Sequence, residues 1–508
     1  MMYKSPMTRQ VAIVGAGPGG LASAMLLARA GVNVVLFEKQ SRVGGRTSAI
    51  EAEGFRFDVG PTFFLYPQIL EEIFAACGRD LRSEVPMVRL DPQYRLIFGA
   101  GGELQCTGNI ERMVSEIAKL APEDAPRFRK FMAYNRVKLD KFTPCLQMPF
   151  LGWTSLLQTR LLSVLPYLKP WRSLHNEVGK YFHDPRLKTA FTFQSKYLGM
   201  SPFQCPSLFS ILSFLEYEYG VFHPIGGCNA VTQTMARIAG EMGVDIRLNE
   251  GVEEILFEGR RAVGVRTSSG EQRADAIVVN ADFGHAMTTL VPLRLRRKWT
   301  DKKIALKRFS CSTFMIYLGI EGSIENLSHH NIYIARDYRR NLDEIERLHT
   351  LSEDPSFYVA NPSRTDSTLA PAGHSTLYVL LPTSHQHPNI DWTKERTRYR
   401  ELAFRQIRKV GIPDIERRIR FERIVTPADW EKSGIYLGAT FNLAHNLGQM
   451  LHLRPNNRFE EFDGVYLVGG GTHPGSGLPV IFESVRITTR LLLADMEIEL
   501  PATTSTVC

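Results

Sequence analysis

The sequence VAIVGAGPGG at residues 11–20 is a short apolar run that breaks into a glycine-rich turn. Gly15, Gly17 and Gly20 match the spacing G-x-G-x-x-G, which is typical of a dinucleotide-binding loop between a strand and a helix. The first glycine permits the tight turn, the second lets a pyrophosphate approach the backbone, and the third lets helix and strand pack closely. The stretch therefore predicts a nucleotide cofactor site; a glycine-rich turn in another doubly wound protein is the alternative.

Two further regions support a bound cofactor. Residues 21–30 predict a helix, and residues 32–37 predict a strand that ends at Glu38, where a carboxylate can accept the ribose hydroxyls. Near the other end of the chain, residues 465–468 predict a strand that enters a second glycine-dense turn at 469–477. A site that uses both turns needs the whole chain to fold around it, which indicates an enzyme with one large cofactor.

The segment VGGR at residues 43–46 favours FAD over NAD. Gly44 and Gly45 give the backbone a second approach to the cofactor, and Arg46 places a cation beside the pyrophosphate. This arrangement resembles flavoproteins of the glutathione-reductase and amine-oxidase superfamily. A second G-x-G-x-x-G with strand context does not follow in the sequence, so we expect no separate nicotinamide domain.

Composition limits the other function classes. The chain has 508 residues, 44% of them hydrophobic, which is enough for a large core and several domains. Its net charge of +8 comes with no nucleic-acid motif, so we expect no nucleic-acid partner. The seven cysteines are scattered and never in C-x-x-C spacing, which argues against a metal site and for a reducing compartment. Residues 1–10 lead directly into the first strand, so we expect no cleaved signal peptide.

Three segments have two interpretations each. Residues 142–171 are strongly apolar with Trp153, Lys169 and Trp171 at the edges; they form core or, as we favour, a monotopic membrane element. The aromatic residues of 182–222 form core or line a channel for a long, flat, apolar ligand. The basic residues of 294–308 form a solvated helix face or attract anionic lipid.

A specific resemblance covers essentially the whole chain. The segments that carry it are YFHDPR at 181–186, FQSKYLG at 193–199, YGVFHPIGG at 219–227, VNAD at 279–282, HHNIYIARD at 329–337, SEDPSFY at 352–358, NPSRTD at 361–366, RPNN at 454–457 and YLVGGGTHPGSGLP at 466–479. Together they resemble the bacterial and fungal-type phytoene desaturases, the carotenoid desaturase family. The resemblance implies FAD as the sole redox cofactor, a long isoprenoid substrate, and a peripheral location on the cytoplasmic side of the cell membrane.

The loops and the resemblance together predict the cofactor contacts. The predicted FAD-binding residues are Gly15, Gly17, Gly19, Gly20, Glu38, Lys39, Gly44, Gly45, Arg46, Gly60, Pro61, Thr62, Val252, Asn280, Gly470, Gly471, Gly477, Leu478, Pro479 and Val480. We predict no catalytic side chain and no metal ligand. His473 is interpreted as a turn residue rather than a general base, since Thr472 and Pro474 flank it.

The resemblance also implies the mechanism. Hydride leaves an allylic CH₂ for flavin N5 and a proton leaves the adjacent carbon; the neighbouring double bonds delocalise the developing charge, so a strong base is not required. The protein aligns the chain and excludes water. Quinone or O₂ then reoxidises the flavin.

The predicted fold is α/β: a Rossmann-like FAD-binding domain of the glutathione-reductase type, a β-sheet substrate domain and a helical, membrane-associating insertion. The FAD-binding domain comprises residues 1–110, 223–300 and 426–508. Residues 111–222 form the helical membrane and channel region, and residues 301–425 form the substrate domain.

The substrate remains open between forty-carbon phytoene and thirty-carbon diapophytoene. Phe482, Glu483 and Arg486 are bulkier than the pattern we associate with many forty-carbon enzymes, which raises the weight of the shorter substrate. A later-pathway desaturase, a terminal-methyl oxidase, a redox-neutral carotenoid isomerase and an amine-oxidase-type enzyme are the alternatives. The oligomeric state is not predicted.

Overall fold

The computed structural model describes residues 9–157, 164–169, 171–413 and 415–500. Five parallel strands form the central sheet, and the apolar runs at both ends of the chain meet in it. In spatial order the strands are Asp245–Arg247, Asn33–Phe37, Gln10–Val14, Ala276–Val279 and Val465–Leu467. Parallel neighbours require long crossover connections, so this sheet brings segments from positions 10 to 467 side by side.

Both faces of the central sheet are covered, as a parallel sheet of Val, Ile and Leu requires. On one face pack the helices Pro18–Arg29, Cys228–Glu241 and Leu478–Asp495. On the other lie the helix Phe283–Leu290 and a three-stranded antiparallel sheet. The strands of this smaller sheet are Val252–Glu258, Arg261–Thr267 and Gly270–Arg273. The α/β prediction is therefore confirmed, and the helix predicted over 21–30 begins earlier, at Pro18.

A second large sheet has seven strands. In spatial order they are Ile419–Val425, Ser312–Glu321, His374–Thr383, Phe357–Ala360, His330–Ile334, Tyr94–Phe98 and Glu103–Cys106. All neighbours are antiparallel except His330–Ile334 beside Tyr94–Phe98. The helix Trp392–Ile407 packs on one face. The last two strands fall within residues 1–110, which are predicted to belong to the FAD-binding domain. In the structure they form one edge of this seven-stranded sheet.

Helices from residues 110 to 219 form a third layer with a largely aromatic core. They are Ile110–Leu120, Arg127–Leu146, Leu165–Leu168, Leu174–Val178, Pro185–Ala190 and Ser210–Tyr219. Phe182 and Phe191 are fully buried and stack with ring centroids 4.4 Å apart. These rings are core, whereas Tyr197 and Tyr219 of the same aromatic segment are half-buried. A channel wall can therefore use only part of the segment 182–222.

Short elements connect the layers. The strands Ala49–Ala52 and Phe55–Asp58 form a hairpin, and Phe64–Leu65, Val221–Pro224 and Met87–Arg89 form a small antiparallel sheet. The remaining short helices are Gln68–Ala76, Leu81–Glu84, Asp301–Ala305, Tyr338–Asp343 and Pro427–Lys432.

Candidate cofactor site

The N-terminal glycine loop is packed too tightly for side chains. Gly15 has φ +96°, and a Cβ atom there would lie 2.7 Å from the Asn280 carbonyl oxygen. A Cβ atom at Gly20 would lie 2.1 Å from the Gly15 carbonyl oxygen, and one at Gly19 would lie 2.6 Å from both Asn280 Oδ1 and Val468 Cγ1. These glycines are therefore required for the helix to meet the sheet.

Gly17 is different, because its φ of −74° suits any residue. Its Cα atom lies 3.3 Å from where a Cβ atom of Gly45 would be, and the Gly44 N–H donates to the Ala16 carbonyl at 2.8 Å. The loop at 15–20 and the loop at 43–46 thus face each other. Within the described part of the chain no side chain caps the helix Pro18–Arg29, so its first N–H groups are available to an anion.

Glu38 fixes the loop and lies at the strand end where the ribose is predicted to bind. Its carboxylate is buried and accepts from the Ala16 N–H at 2.8 Å and the Gln40 N–H at 3.0 Å. A carboxylate has about four acceptor positions, so hydroxyls can still bind. The Glu38 carbonyl accepts from Glu250 N–H at 2.9 Å, which brings the start of the strand at Val252 close to this strand end.

Lys39 follows Glu38 and contacts a segment 394 positions further along the chain. Its Nζ donates to the Ser433 carbonyl at 2.7 Å.

Arg46 is already paired with a carboxylate. Its guanidinium lies 2.8 Å from Asp282 Oδ2, and Asp282 also accepts from Asn442 Nδ2 at 2.8 Å and from the His285 N–H at 3.2 Å. Asp282 is therefore a site residue that the prediction missed, although the segment VNAD that contains it was identified. The charge of Arg46 is largely compensated before any phosphate binds.

Three tyrosines of the seven-stranded sheet hold the loop at residues 59–62. The hydroxyl of Tyr317 donates to the Val59 carbonyl at 2.6 Å, and that of Tyr378 donates to the Gly60 carbonyl at 2.7 Å. The hydroxyl of Tyr358 lies 2.7 Å from Thr62 Oγ1, next to the half-buried Pro61.

These tyrosines remain protonated donors. Burial raises the pKa of all three phenols far above the usual value. The Tyr358 hydroxyl also lies 2.7 Å from Nδ1 of His330, whose pKa burial lowers to about 3, so that its imidazole is neutral. Sequence reasoning identified Gly60 and Thr62 but not the three phenols that position them.

Asn280 lies between the C-terminal turn and the N-terminal loop. Asn280 ends its strand and donates from Nδ2 to the Gly15 carbonyl at 3.0 Å. A Cβ atom at Gly471 would lie 2.5 Å from Phe283 Cβ, so glycine is required there too. The helix Leu478–Asp495 begins at Gly477, which has φ +111°, and over the described ranges no side chain caps it. Gly477 is exposed, and Gly470, Leu478, Pro479 and Val480 are half-buried.

Side chains from residues 445–457 enclose this turn. His445 Nε2 accepts from the Ser476 N–H at 3.0 Å, and Asn457 Nδ2 donates to the His473 carbonyl at 2.9 Å. His473 is buried against Phe150 with ring centroids 4.8 Å apart, and burial lowers its pKa to about 3. A neutral imidazole with so low a pKa is a poor general base, which favours the turn interpretation.

Two of the bulky residues that favour the shorter substrate, Phe482 and Arg486, contact other parts of the protein. Phe482 is fully buried in the core of the FAD-binding domain and packs on Phe64 with ring centroids 6.2 Å apart. Arg486 forms an ion pair with Glu72 at 2.7 Å. Neither contact supports a role of these side chains in measuring substrate length.

The residues present fit an extended dinucleotide with a flavin. They comprise two uncapped helix starts that face glycine turns, a buried carboxylate at a strand end, and glycine positions that any Cβ atom would block. Gly15, Gly45, Gly60 and Gly470 are partly or fully accessible to solvent, although they lie beside buried strands. The glycines of both turns and the Glu38 carboxylate thus lie around Asn280 and the strand ends of the central sheet.

Comparisons with known proteins identify the family of the chain. The family described as flavin containing amine oxidoreductase matches residues 18–484. The chain is 42% identical to a 4,4'-diapophytoene desaturase (4,4'-diapolycopene-forming) of Methylomonas sp over 96% of this chain and 95% of that protein. It is 40% identical to an all-trans-zeta-carotene desaturase of Myxococcus xanthus over 95% and 93%.

Solved structures share the fold. An oxidoreductase from Methanosarcina mazei superposes with a TM-score of 0.62 at 17% identity, covering 96% of this chain and 100% of that one. Putrescine oxidase bound to putrescine gives a TM-score of 0.62 at 16% identity, covering 97% and 99%.

Proposed function

The chain belongs to the flavin-containing amine oxidoreductase family, and we propose that within it the protein is an FAD-dependent carotenoid desaturase. The observation that carries the proposal is that similarity to carotenoid desaturases extends over 96% of the chain, so it includes the aromatic helical region as well as the cofactor loops. FAD, when bound, accepts hydride from a C–H bond of a linear polyene. The protein's own residues hold the cofactor, orient the polyene and exclude water.

Two pairs of aromatic side chains near the loop 59–62 support the choice of substrate class. Phe63 directly follows the predicted flavin contact Thr62. The centroid of its ring lies 5.5 Å from that of the half-buried Tyr197. Three residues after Phe63, Tyr66 packs against Tyr219 with ring centroids 4.7 Å apart, and both side chains are half-buried. Stiff aromatic side chains of this kind bury a flat apolar chain at low entropic cost.

The substrate is tested by pigment analysis after co-expression with a forty-carbon or a thirty-carbon precursor synthase. We expect a more conjugated product from at least one of phytoene and diapophytoene, formed with quinone or O₂ as acceptor. If carotenoid conversion continues for many turnovers anaerobically with no acceptor, the protein is a redox-neutral isomerase instead. Oxidation of a diamine with neither polyene converted would assign it to the amine-oxidase branch.

We also propose that the protein binds the membrane surface through the apolar segment 142–171, of which residues 158–163 and 170 lie outside the described ranges. Trp153 is 67% exposed and Trp171 is 80% exposed, although both are large apolar side chains. Leu151 is exposed as well, and its carbonyl accepts from Asn456 Nδ2 at 3.4 Å, which places this segment beside the C-terminal glycine turn. Over the described ranges, none of the helices has the length and apolar character needed to cross a bilayer.

The basic stretch 294–308 contributes less to this proposal than its charge indicates. Arg296 is buried in an ion pair with Asp301 at 2.6 Å, and Lys298 lies 2.6 Å from Glu460.

Sedimentation with mixed neutral and anionic vesicles tests the membrane proposal. The double variant Trp153→Ser and Trp171→Ser should bind at least about tenfold more weakly, the equivalent of ~1.4 kcal/mol. Leu348→Ser removes a side chain that is 44% exposed on another element and should bind like the unaltered protein. Equal binding of the double variant and the control would contradict the proposed surface.

A further inference from the structure

Arg454 is a fully buried cation held by backbone carbonyls. Its five N–H groups donate to five carbonyl oxygens. Nε donates to Thr472 at 3.1 Å, Nη1 to Ala444 at 3.3 Å and Gln449 at 3.2 Å, and Nη2 to Leu443 at 3.0 Å and Gly470 at 2.6 Å. Every donor of the guanidinium is therefore used, and two of the acceptors belong to the C-terminal glycine turn.

The charge of Arg454 has no carboxylate partner within 4.0 Å among the described residues. Arg296 is also buried, but it pairs with Asp301 at 2.6 Å. Burial lowers the pKa of Arg454 to about 9, so the guanidinium still carries its charge at neutral pH. A buried charge without an opposite charge is costly, and carbonyl dipoles compensate it only in part.

The polar groups nearest to the turn do not compensate this charge either. His445 and His473 are buried, and burial together with the positive charge of Arg454 lowers the pKa of both imidazoles. Both are therefore neutral at physiological pH. The guanidinium leaves an excess positive charge directly behind Gly470 and Thr472, in the turn predicted to contact the flavin.

We propose that Arg454 is the fixed positive charge that stabilises the negative charge which FAD gains on reduction. The inference rests on the proposed function for the presence of FAD. Hydride carries two electrons and one proton, so oxidised cofactor plus hydride gains one unit of negative charge, while the second hydrogen leaves the substrate as a proton. Because all five N–H groups bind carbonyls, Arg454 acts through its charge and through the turn it holds. It is a positioning residue rather than a catalytic one.

The unaltered holoprotein provides the first test. The midpoint potential of its bound FAD is measured from about pH 5 to about pH 8 and compared with that of free FAD over the same range. If the reduced cofactor stays anionic in the protein, one proton accompanies two electrons and the potential changes by about 30 mV per pH unit throughout. Free FAD becomes steeper at the acid end, where a second proton binds. A slope of about 59 mV per pH unit in the protein at acid pH would overturn the proposal.

Variants provide the second test. Arg454→Met should weaken the binding of reduced FAD relative to oxidised FAD at least about tenfold, which lowers the midpoint potential by about 30 mV or more. Arg454→Lys keeps the charge and should retain most of the potential, and the control Arg296→Met should leave it unchanged. A potential of Arg454→Met equal to that of the unaltered protein would overturn the proposal.

The two tests separate this inference from the proposed function. If Arg454→Met does not retain FAD, the pH slope of the unaltered protein and the potential of Arg454→Lys decide the question. Potentiometry requires bound FAD but no desaturation. A protein that converts no carotenoid and still has the shallow slope would contradict the proposed substrate and leave the role of Arg454 standing.

Discussion

The two glycine turns of the candidate site are held by different partners. The N-terminal loop at residues 15–20 packs against two strand ends: the Gly15 N–H donates to the Phe37 carbonyl at 2.8 Å, the Glu38 carboxylate accepts from the Ala16 N–H, and the Asn280 amide donates to the Gly15 carbonyl. The C-terminal turn at residues 469–477 is held from outside, by the side chains of His445, Arg454 and Asn457. Both turns therefore depend on glycine and on neighbouring side chains, but the first is held by a carboxylate and an amide, whereas the second encloses a buried cation.

Gly20→Ala should have the largest effect, because it breaks the N-terminal loop itself. The new Cβ atom would lie 2.1 Å from the Gly15 carbonyl oxygen, a contact that only a displacement of helix from strand relieves. We expect a loss of at least about 3 kcal/mol of unfolding free energy, measured by denaturant titration, or no folded protein. Gly240→Ala is the matched control, since it lies in a helix with no atom within 4 Å of the new Cβ, and it should stabilise by roughly 0.5–1 kcal/mol. Equal stability of the two variants would show that the loop tolerates a side chain.

Gly17→Val separates cofactor binding from folding in the same loop. The backbone at Gly17 suits a substituted residue, and the closest atom to a new Cβ is the side-chain amide of Asn280 at 3.0 Å. The protein should fold, but the branched side chain blocks the approach of the pyrophosphate. Loss of a hydrogen bond to a charged group costs about 1.5–3 kcal/mol, so FAD affinity should fall about tenfold or more. Undiminished FAD affinity in a folded variant would remove Gly17 from the site.

This contrast explains how much the sequence could predict. The spacing of Gly15, Gly17 and Gly20 is local, and it predicted the strand, the loop and the helix that the structure contains. The partners of Arg454 are backbone carbonyls, which every residue has, so no residue type indicates them. Likewise, Arg46 and its partner Asp282 are 236 positions apart, and nothing in either segment indicates the pairing.

One predicted domain boundary does not follow the sheets, for a similar reason. The alternation of residues 94–106 is typical of strands, but it does not indicate which sheet the strands join. The strand Tyr94–Phe98 joins the seven-stranded sheet beside its parallel neighbour His330–Ile334, which lies more than two hundred residues further along the chain.

Asn457→Ala tests the C-terminal turn with a smaller expected effect. The Asn457 amide is buried and donates to the His473 carbonyl and to the hydroxyl oxygens of Ser484 and Thr488. Its loss leaves a buried carbonyl without this donor, which costs about 1–3 kcal/mol of unfolding free energy. Ser484→Ala removes one of the three partners and should cost less. A cost of Asn457→Ala no larger than that of Ser484→Ala would show that the turn does not depend on this amide.

Tyr378→Phe tests how the loop 59–62, which lies between the two sheets, is held, and it should have the smallest effect. The phenol donates to the Gly60 carbonyl at 2.7 Å, and phenylalanine keeps the ring while removing the hydroxyl. We expect a loss of about 1 kcal/mol of unfolding free energy and a decrease of a few-fold in FAD affinity, because the loop 59–62 loses one of its three anchors. Tyr338→Phe is the matched control: its hydroxyl is buried without a hydrogen-bond partner among the described residues, so its removal should cost nothing or stabilise. Both variants are compared by denaturant titration and by fluorescence titration with FAD. If Tyr378→Phe behaved like Tyr338→Phe in both measurements, the seven-stranded sheet would support the cofactor loop by packing alone, and the loop would not depend on side-chain hydrogen bonds as both glycine turns do.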